Sequence, residues 1–301
     1  MSSHISKQDR LDFSVVPRLQ NIWGFREAVV FFLEGLGVSI FVAFMLLDNA
    51  LAMLVGIILV IAAVLLLLSH LGHPFRAWMA IRNVRRSWVS RGTAVLSGFI
   101  GLGVAYIGFS LIFGFAISGW WNAFFRLVLV LAALFILLYP GIAMANSRGI
   151  PFWSSRLLPV FSMFNGIASG GLVLLAYLVG TDQAYLNIGW LDLAWFQQCI
   201  LCLLAVILLV YLLTMSNAEA AASLSAFYLM TREPILFWVL AIGGGLVVPI
   251  GAIILLLTFN QVSASLLWVA VVARLAGDVS VRHAFLKAGI YDAVLQPADR
   301  A

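Results

Sequence analysis

Apolar residues in this chain come in long unbroken runs, not as one stripe of a helix or as alternate positions of a strand. The runs cover 28–47, 51–69, 93–118, 121–145, 157–179, 193–215, 235–258 and 262–277, parted by short stretches holding Gly, Pro or charge. Nearly all are about 18 to 25 residues long, the length at which a helix rising about 1.5 Å per residue crosses a hydrocarbon core of about 30 Å. A transmembrane barrel would alternate in polarity over segments of about ten residues, and no such pattern occurs. The expected fold is all-α and integral to the membrane, with eight transmembrane helices that divide naturally into two four-helix bundles. This gives an amino-terminal segment 1–27, a membrane domain 28–277 and a carboxy-terminal tail 278–301.

Composition agrees with the pattern. Of 301 residues 64% are hydrophobic and 10% charged, too little polar surface to keep a domain of this size dispersed in water. Membrane lipid is therefore the expected partner of most of the surface, and no nucleic-acid partner is expected. The polar stretch Met1 to Asp12 has no apolar segment followed by a small-residue cleavage site, so no removable leader is expected.

Charge then sets orientation. Eight crossings put both ends on one side, and that side takes 16 of the 17 lysines and arginines. They fall before the first run (Lys7, Arg10, Arg18, Arg26), after the second (Arg76, Arg82, Arg85, Arg86, Arg91), in two further loops (Arg148, Arg156, Arg232) and from the end of the eighth onward (Arg274, Arg282, Lys287, Arg300). The positive-inside rule makes this the cytoplasmic face of a bacterial or archaeal inner membrane, with both termini cytoplasmic. The exception, Arg126, lies just inside the fourth run. It either snorkels outward or pairs with an acidic group or ligand in a cavity.

Few residues could carry chemistry. His4 and His283 fall in polar tails and His70 and His73 share one membrane boundary, so no mid-membrane pair is available and no haem is expected. No nucleotide loop, zinc pair or nucleophile elbow occurs. Cys199 and Cys202 lie on one helical face, where packing competes with a redox or metal role. Glu34 stands well inside the first run and Glu27 shares its face, making both proton-transfer candidates; a structural partnership with Arg or Asn is the other reading. Asp278 is spaced for i,i+4 pairs with Arg274 and Arg282, read as a structural ladder where the last helix leaves the membrane. Glu34-Gly35-Leu36-Gly37-Val38-Ser39 is echoed by Asn165-Gly166-Ile167-Ala168-Ser169-Gly170, as a parallel four-plus-four repeat would produce.

The densest polar feature runs from Ser69 through His70-Leu71-Gly72-His73-Pro74-Phe75-Arg76-Ala77-Trp78 to the basic stretch Arg82–Arg91. Its residues suit either an interfacial belt that ends a helix or an imidazole at the membrane boundary that bonds a ligand oxygen. The segment resembles the signature after the second helix in the polysulfide reductase membrane-subunit (NrfD-like) family, which includes the dimethyl sulfoxide reductase anchor. Three further stretches fit in order: Trp23-Gly24 to Gly37, Tyr139-Pro140-Gly141 to Trp153, and Phe237-Trp238 to Pro249.

The resemblance implies a membrane anchor that binds quinone, either menaquinone or ubiquinone. It also implies exchange of electrons with a four-cluster iron-sulfur subunit attached to a molybdopterin catalytic subunit. By position it assigns quinone contact to His70, with Gly72, Pro74 and Arg76 completing the signature. Family members often carry Gly where this chain has Glu34, so no role passes to that residue. The resulting expectation is a quinone-reactive subunit that is non-catalytic toward the soluble substrate. An ion- or solute-translocating protein is the alternative, and a purely structural anchor is a third reading.

Overall fold

The computed structural model describes residues 18–69, 79, 82–113, 119–181, 189–259 and 264–292. Among them, eight helices are long and apolar enough to cross a membrane. They are α1 (Phe25–Leu46), α2 (Ala50–Leu68), α3 (Trp88–Phe113), α4 (Trp120–Ala145), α5 (Leu157–Thr181), α6 (Trp190–Ser216), α8 (Ile235–Phe259) and α9 (Ala264–Lys287). A shorter helix, α7 (Ala220–Arg232), precedes α8.

Helix ends follow local chemistry. The α1 start is capped by Glu27, whose Oε2 accepts from the Gly24 backbone N–H at 2.6 Å. Asp48, with φ of 52°, makes the tight reversal into α2, where Asn49 Oδ1 accepts from the Ala52 N–H at 3.0 Å. The first part of α8, Ile235–Val247, is a π-helix and the remainder, Val248–Phe259, is α-helical.

Two hydrophobic cores divide the molecule. One is built from α1 to α4 and the other mainly from α5 to α9. They meet where α1 packs on α5 and α9, and where α5 packs on α4. Glycines permit the closest crossings: a Cβ on Gly37 would lie 2.7 Å from the Gly56 carbonyl oxygen, so α1 and α2 touch backbone to backbone. The echoed motifs also cross one another, with Gly35 of α1 against Gly166 of α5.

The first and last described segments pair with each other. Arg18–Leu19 (β1) pairs antiparallel with Ile290–Tyr291 (β2), Arg18 opposite Tyr291 and Leu19 opposite Ile290. Gln20 Nε2 donates to the carbonyls of Trp23 at 2.6 Å and Leu286 at 2.7 Å, and Trp153 Nε1 donates to the Phe285 carbonyl at 3.0 Å. An even number of crossings follows from this clasp.

Three details depart from the sequence reading. The last helix continues to Lys287 instead of stopping at 277, because Asp278 and Arg282 satisfy each other inside it. Arg282 therefore lies within α9, as Arg274 does, rather than in a basic loop beyond it, and His283 sits in that helix with its ring 5.5 Å edge-on to Phe25. Cys199 and Cys202 are free thiols exposed on the outer surface of α6, so neither packs in the core.

Candidate functional site

Between α1, α2, α3 and α4 lies a cavity of about 220 Å³. Its walls are mostly apolar, from Val64, Leu67 and Leu68 of α2, Leu96 of α3, and Phe135 and Ile136 of α4. Its polar residues are Glu34, Tyr139, Thr93 and Ser97. Exposed Leu67 and Val89 place its mouth between the end of α2 and the start of α3. The cavity thus opens in the membrane half that adjoins the basic loops.

Each wall has a local reason. Glu34 is 3% exposed and lies roughly 14 Å along α1 at about 1.5 Å rise per residue. The Tyr139 ring occupies the space over Gly92, where any side chain would strike it. Thr93 spends its hydroxyl on the Val89 carbonyl at 2.9 Å, leaving Glu34, Ser97 and Tyr139 as the groups suited to a ligand. At the rim Arg91 donates to the carbonyls of Val84 at 2.9 Å and Arg85 at 3.0 Å, and lies 4.5 Å over the Trp88 ring. One arginine thereby ties the basic run to the first turn of α3.

The sequence candidates divide sharply. His70, Gly72, Pro74 and Arg76 lie outside the described residues, though the segment they belong to leaves α2 directly after cavity-lining Leu68 and the C-cap Ser69. Glu34 is in the cavity wall. Glu27 is committed to the α1 cap and does not line this cavity.

Behind Glu34 runs a buried charged seam, in which the sequence reading expected the Asp278–Arg282 pair but not its burial or its partners on α5. Asp278 is 0% exposed; its Oδ1 accepts from Arg282 Nε at 2.6 Å and Asn165 Nδ2 at 2.5 Å, and its Oδ2 accepts from Ser169 Oγ at 2.8 Å. Arg274, 2% exposed, donates to the carbonyls of Gly245 and Asn165, each at 2.9 Å, and to the Asn165 side-chain oxygen. The expected Asp278 to Arg274 rung is replaced by this Asn165 bridge. By helix rise Arg274 stands roughly 15 Å from one end of α9 and 20 Å from the other, near mid-membrane. The available signal was charge inside an apolar context, which in a membrane demands buried partners.

On the opposite side Arg126 pairs with Asp48 and donates Nε to the Tyr106 hydroxyl at 2.9 Å and Asn122 Oδ1 at 3.1 Å. Of the two readings open for Arg126, the structure shows the acidic partner.

No curated protein matches the chain. A family model described as polysulphide reductase, NrfD, matches residues 16–292, nearly the whole chain, including the α1 wall, the signature after α2 and the seam in α9. This multi-pass membrane protein belongs to the NrfD polysulphide reductase family.

Proposed function

We propose that the chain is the quinone-reactive anchor of a multi-subunit oxidoreductase, exchanging electrons with an iron-sulfur subunit attached to a molybdopterin catalytic subunit. The observation that carries this reading is the cavity beside Glu34 and Tyr139, positioned where the His70 signature leaves α2. At about 220 Å³ it is small beside pockets for drug-sized ligands, roughly 300–1,000 Å³, and suits a single ring. Apolar walls with a few oxygen-bearing side chains fit the chemistry of a quinone head, and a mouth at the bilayer leaves room for an isoprenoid tail.

A bound quinone supplies two-electron redox chemistry coupled to two protons. The chain's own residues supply the rest. Tyr139 holds a ring oxygen by hydrogen bonding, Glu34 gives or takes a proton at that oxygen, and the leucines and Phe135 exclude water. His70, the residue after the C-cap Ser69, is proposed to bond the second ring oxygen, with Gly72, Pro74 and Arg76 completing the quinone-binding signature. Glu27 is the weaker proton-transfer candidate because its carboxylate already caps α1. The basic face is proposed to be cytoplasmic, with the partner subunits docked there, since electrons enter most directly on the side where the cavity opens.

The experiment is His70→Ala in the assembled complex. Quinone turnover is expected to fall well beyond the tenfold that one lost hydrogen bond of about 0.5–1.5 kcal/mol explains, while activity with a soluble artificial electron carrier persists. His73→Ala is the milder control. Quinone turnover equal to wild type in the His70 variant removes that assignment.

The mid-membrane Arg274–Asn165–Asp278 seam favours a second reading, ion or solute translocation. Substrate-driven flux in proteoliposomes of the chain alone would favour it over the anchor.

A further inference from the structure

A second cavity, of about 270 Å³, lies between α1, α4, α5 and α6. Its floor is made of Val38, Ala133, Leu137 and Leu174, all buried, while Leu46, Leu134 and Phe196 at its edge are exposed. It therefore opens sideways onto the apolar outside of the spanning helices, the surface that lipid covers. Helix α4 belongs mainly to the first hydrophobic core and α6 to the second, and each packs on α5, so the cavity is a slot at the seam between the two bundles. Nearer the basic face the seam is shut, because a Cβ on Gly141 of α4 would lie 2.3 Å from Pro159 of α5. The slot begins one turn further on, at Leu137.

Its length and level match one leaflet. Along α1 the lining runs from Val38 to Leu46, roughly 12 Å at about 1.5 Å per residue. Half of a hydrocarbon core of about 30 Å is about 15 Å. Leu46 ends α1, and Leu193 and Phe196 lie in the first two turns of α6, so the slot occupies the leaflet opposite the basic loops.

The lining also narrows the choice of occupant. Ser39 is its one polar residue and it holds no charge, so water finds too few partners there and an apolar cavity of this kind stays dry. A helix of another subunit, about 10 Å across with its side chains, has no room in it. What the adjoining lipid offers at this depth is a hydrocarbon chain. Such a chain gains no hydrophobic energy by leaving other chains, but it replaces a void with dispersion contacts on several sides. The cavity beside Glu34 opens nearer the basic face, shares no lining residue with the slot and is parted from it by the packing of α1 on α4. We infer that an acyl chain of a phospholipid from the leaflet opposite the basic face fills the slot as a structural lipid. It braces α4 from behind, since Leu134 and Leu137 line the slot while Phe135 and Ile136 line the cavity beside Glu34.

The test reconstitutes the full chain in vesicles of phosphatidylethanolamine and phosphatidylglycerol that include a phosphatidylglycerol with a photoreactive diazirine midway along one acyl chain. The protein is extracted in mild detergent and irradiated, and the adducts are mapped by mass spectrometry. Adducts on Val42, Leu134 and Ile167 are expected to exceed those on Val269 and Val272, exposed on α9 in the same leaflet, by about tenfold, because detergent strips the surrounding lipid and the slot retains its chain. Ala43→Leu and Ala133→Leu fill the slot from two walls and should each cut its adducts by at least about fivefold, with labelling of Val269 and Val272 in intact vesicles unchanged. Where Ala133→Leu does not fold, Ala43→Leu, at a half-buried position, decides. Slot adducts no more frequent than those on α9, or unchanged by Ala43→Leu, overturn the inference. Loss of the adducts to added ubiquinone or menaquinone but not to added phosphatidylglycerol also overturns it, and assigns the slot to an isoprenoid tail.

Discussion

The Asn165 amide donates to Asp278 across 2.5 Å while its oxygen accepts from Arg274, so one neutral side chain on α5 joins an anion and a cation of α9. The i,i+4 partner Arg282 completes the set at 2.6 Å. Burial this deep makes each member dependent on the others, because a charge left without a partner keeps its desolvation cost and loses its compensation.

Asp278→Asn keeps the size of the side chain and removes its charge. The folded helix bundle is expected to lose about 3–5 kcal/mol, since Arg274 and Arg282 are then buried without the carboxylate that Arg282 pairs with. Thermal unfolding in detergent measures it. Adding Arg282→Met should recover part of the loss, and an Asp278→Asn protein as stable as wild type would show that the seam carries no such load.

Gly92 leaves the space that the Tyr139 ring occupies. Gly92→Ala should push that ring aside and raise KM for quinone by about three- to tenfold, the scale of one hydrogen bond, with assembly unaffected. Tyr139→Phe is the companion, keeping the ring and losing only the hydroxyl. Unchanged KM in both would exclude Tyr139 from the ligand.

Glu34→Gln retains size and hydrogen-bonding capacity and loses the transferable proton. Turnover with quinone should fall by roughly a hundredfold or more if the carboxylate is the proton-exchanging group, with KM little altered. Normal turnover across pH would return Glu34 to a structural role alongside Arg282.

Orientation is checked with a reporter active only outside the cytoplasm. Fused after Asp182 or Asn260 it should be active, and after Arg86 or Arg232 silent. The reverse pattern would move the proposed partners to the other face.

The helices were legible because lipid imposes a length and an apolar character that no other environment asks of a sequence. Glu34 was legible for the same reason, as a carboxylate has to be accounted for wherever it enters an apolar run. What escaped was the depth of α9. Asp278, Arg282 and His283 look like a polar tail when read one after another, and only Asn165 and Ser169, over a hundred residues earlier, make that stretch fit for burial. Tyr139 was seen as part of a motif, but its place opposite Gly92 depends on how α3 meets α4. The π-helical turns of Ile235–Val247 had no signal beyond a run of glycines, and they bring the Gly245 carbonyl to Arg274.

The clasp of β1 and β2 carries a consequence for biogenesis. Gln20 leaves the ribosome early, yet the carbonyl it bonds belongs to Leu286, 266 residues later. At 5–20 residues per second the early partner waits roughly fifteen to fifty seconds for the later one to be made. The clasp therefore closes only after α9 has been made and inserted, and its closure marks that insertion. A nascent chain arrested before α9 has its first strand unpaired and its Gln20 amide without the Leu286 carbonyl, features by which quality-control proteases could tell it from the chain with α9 in place.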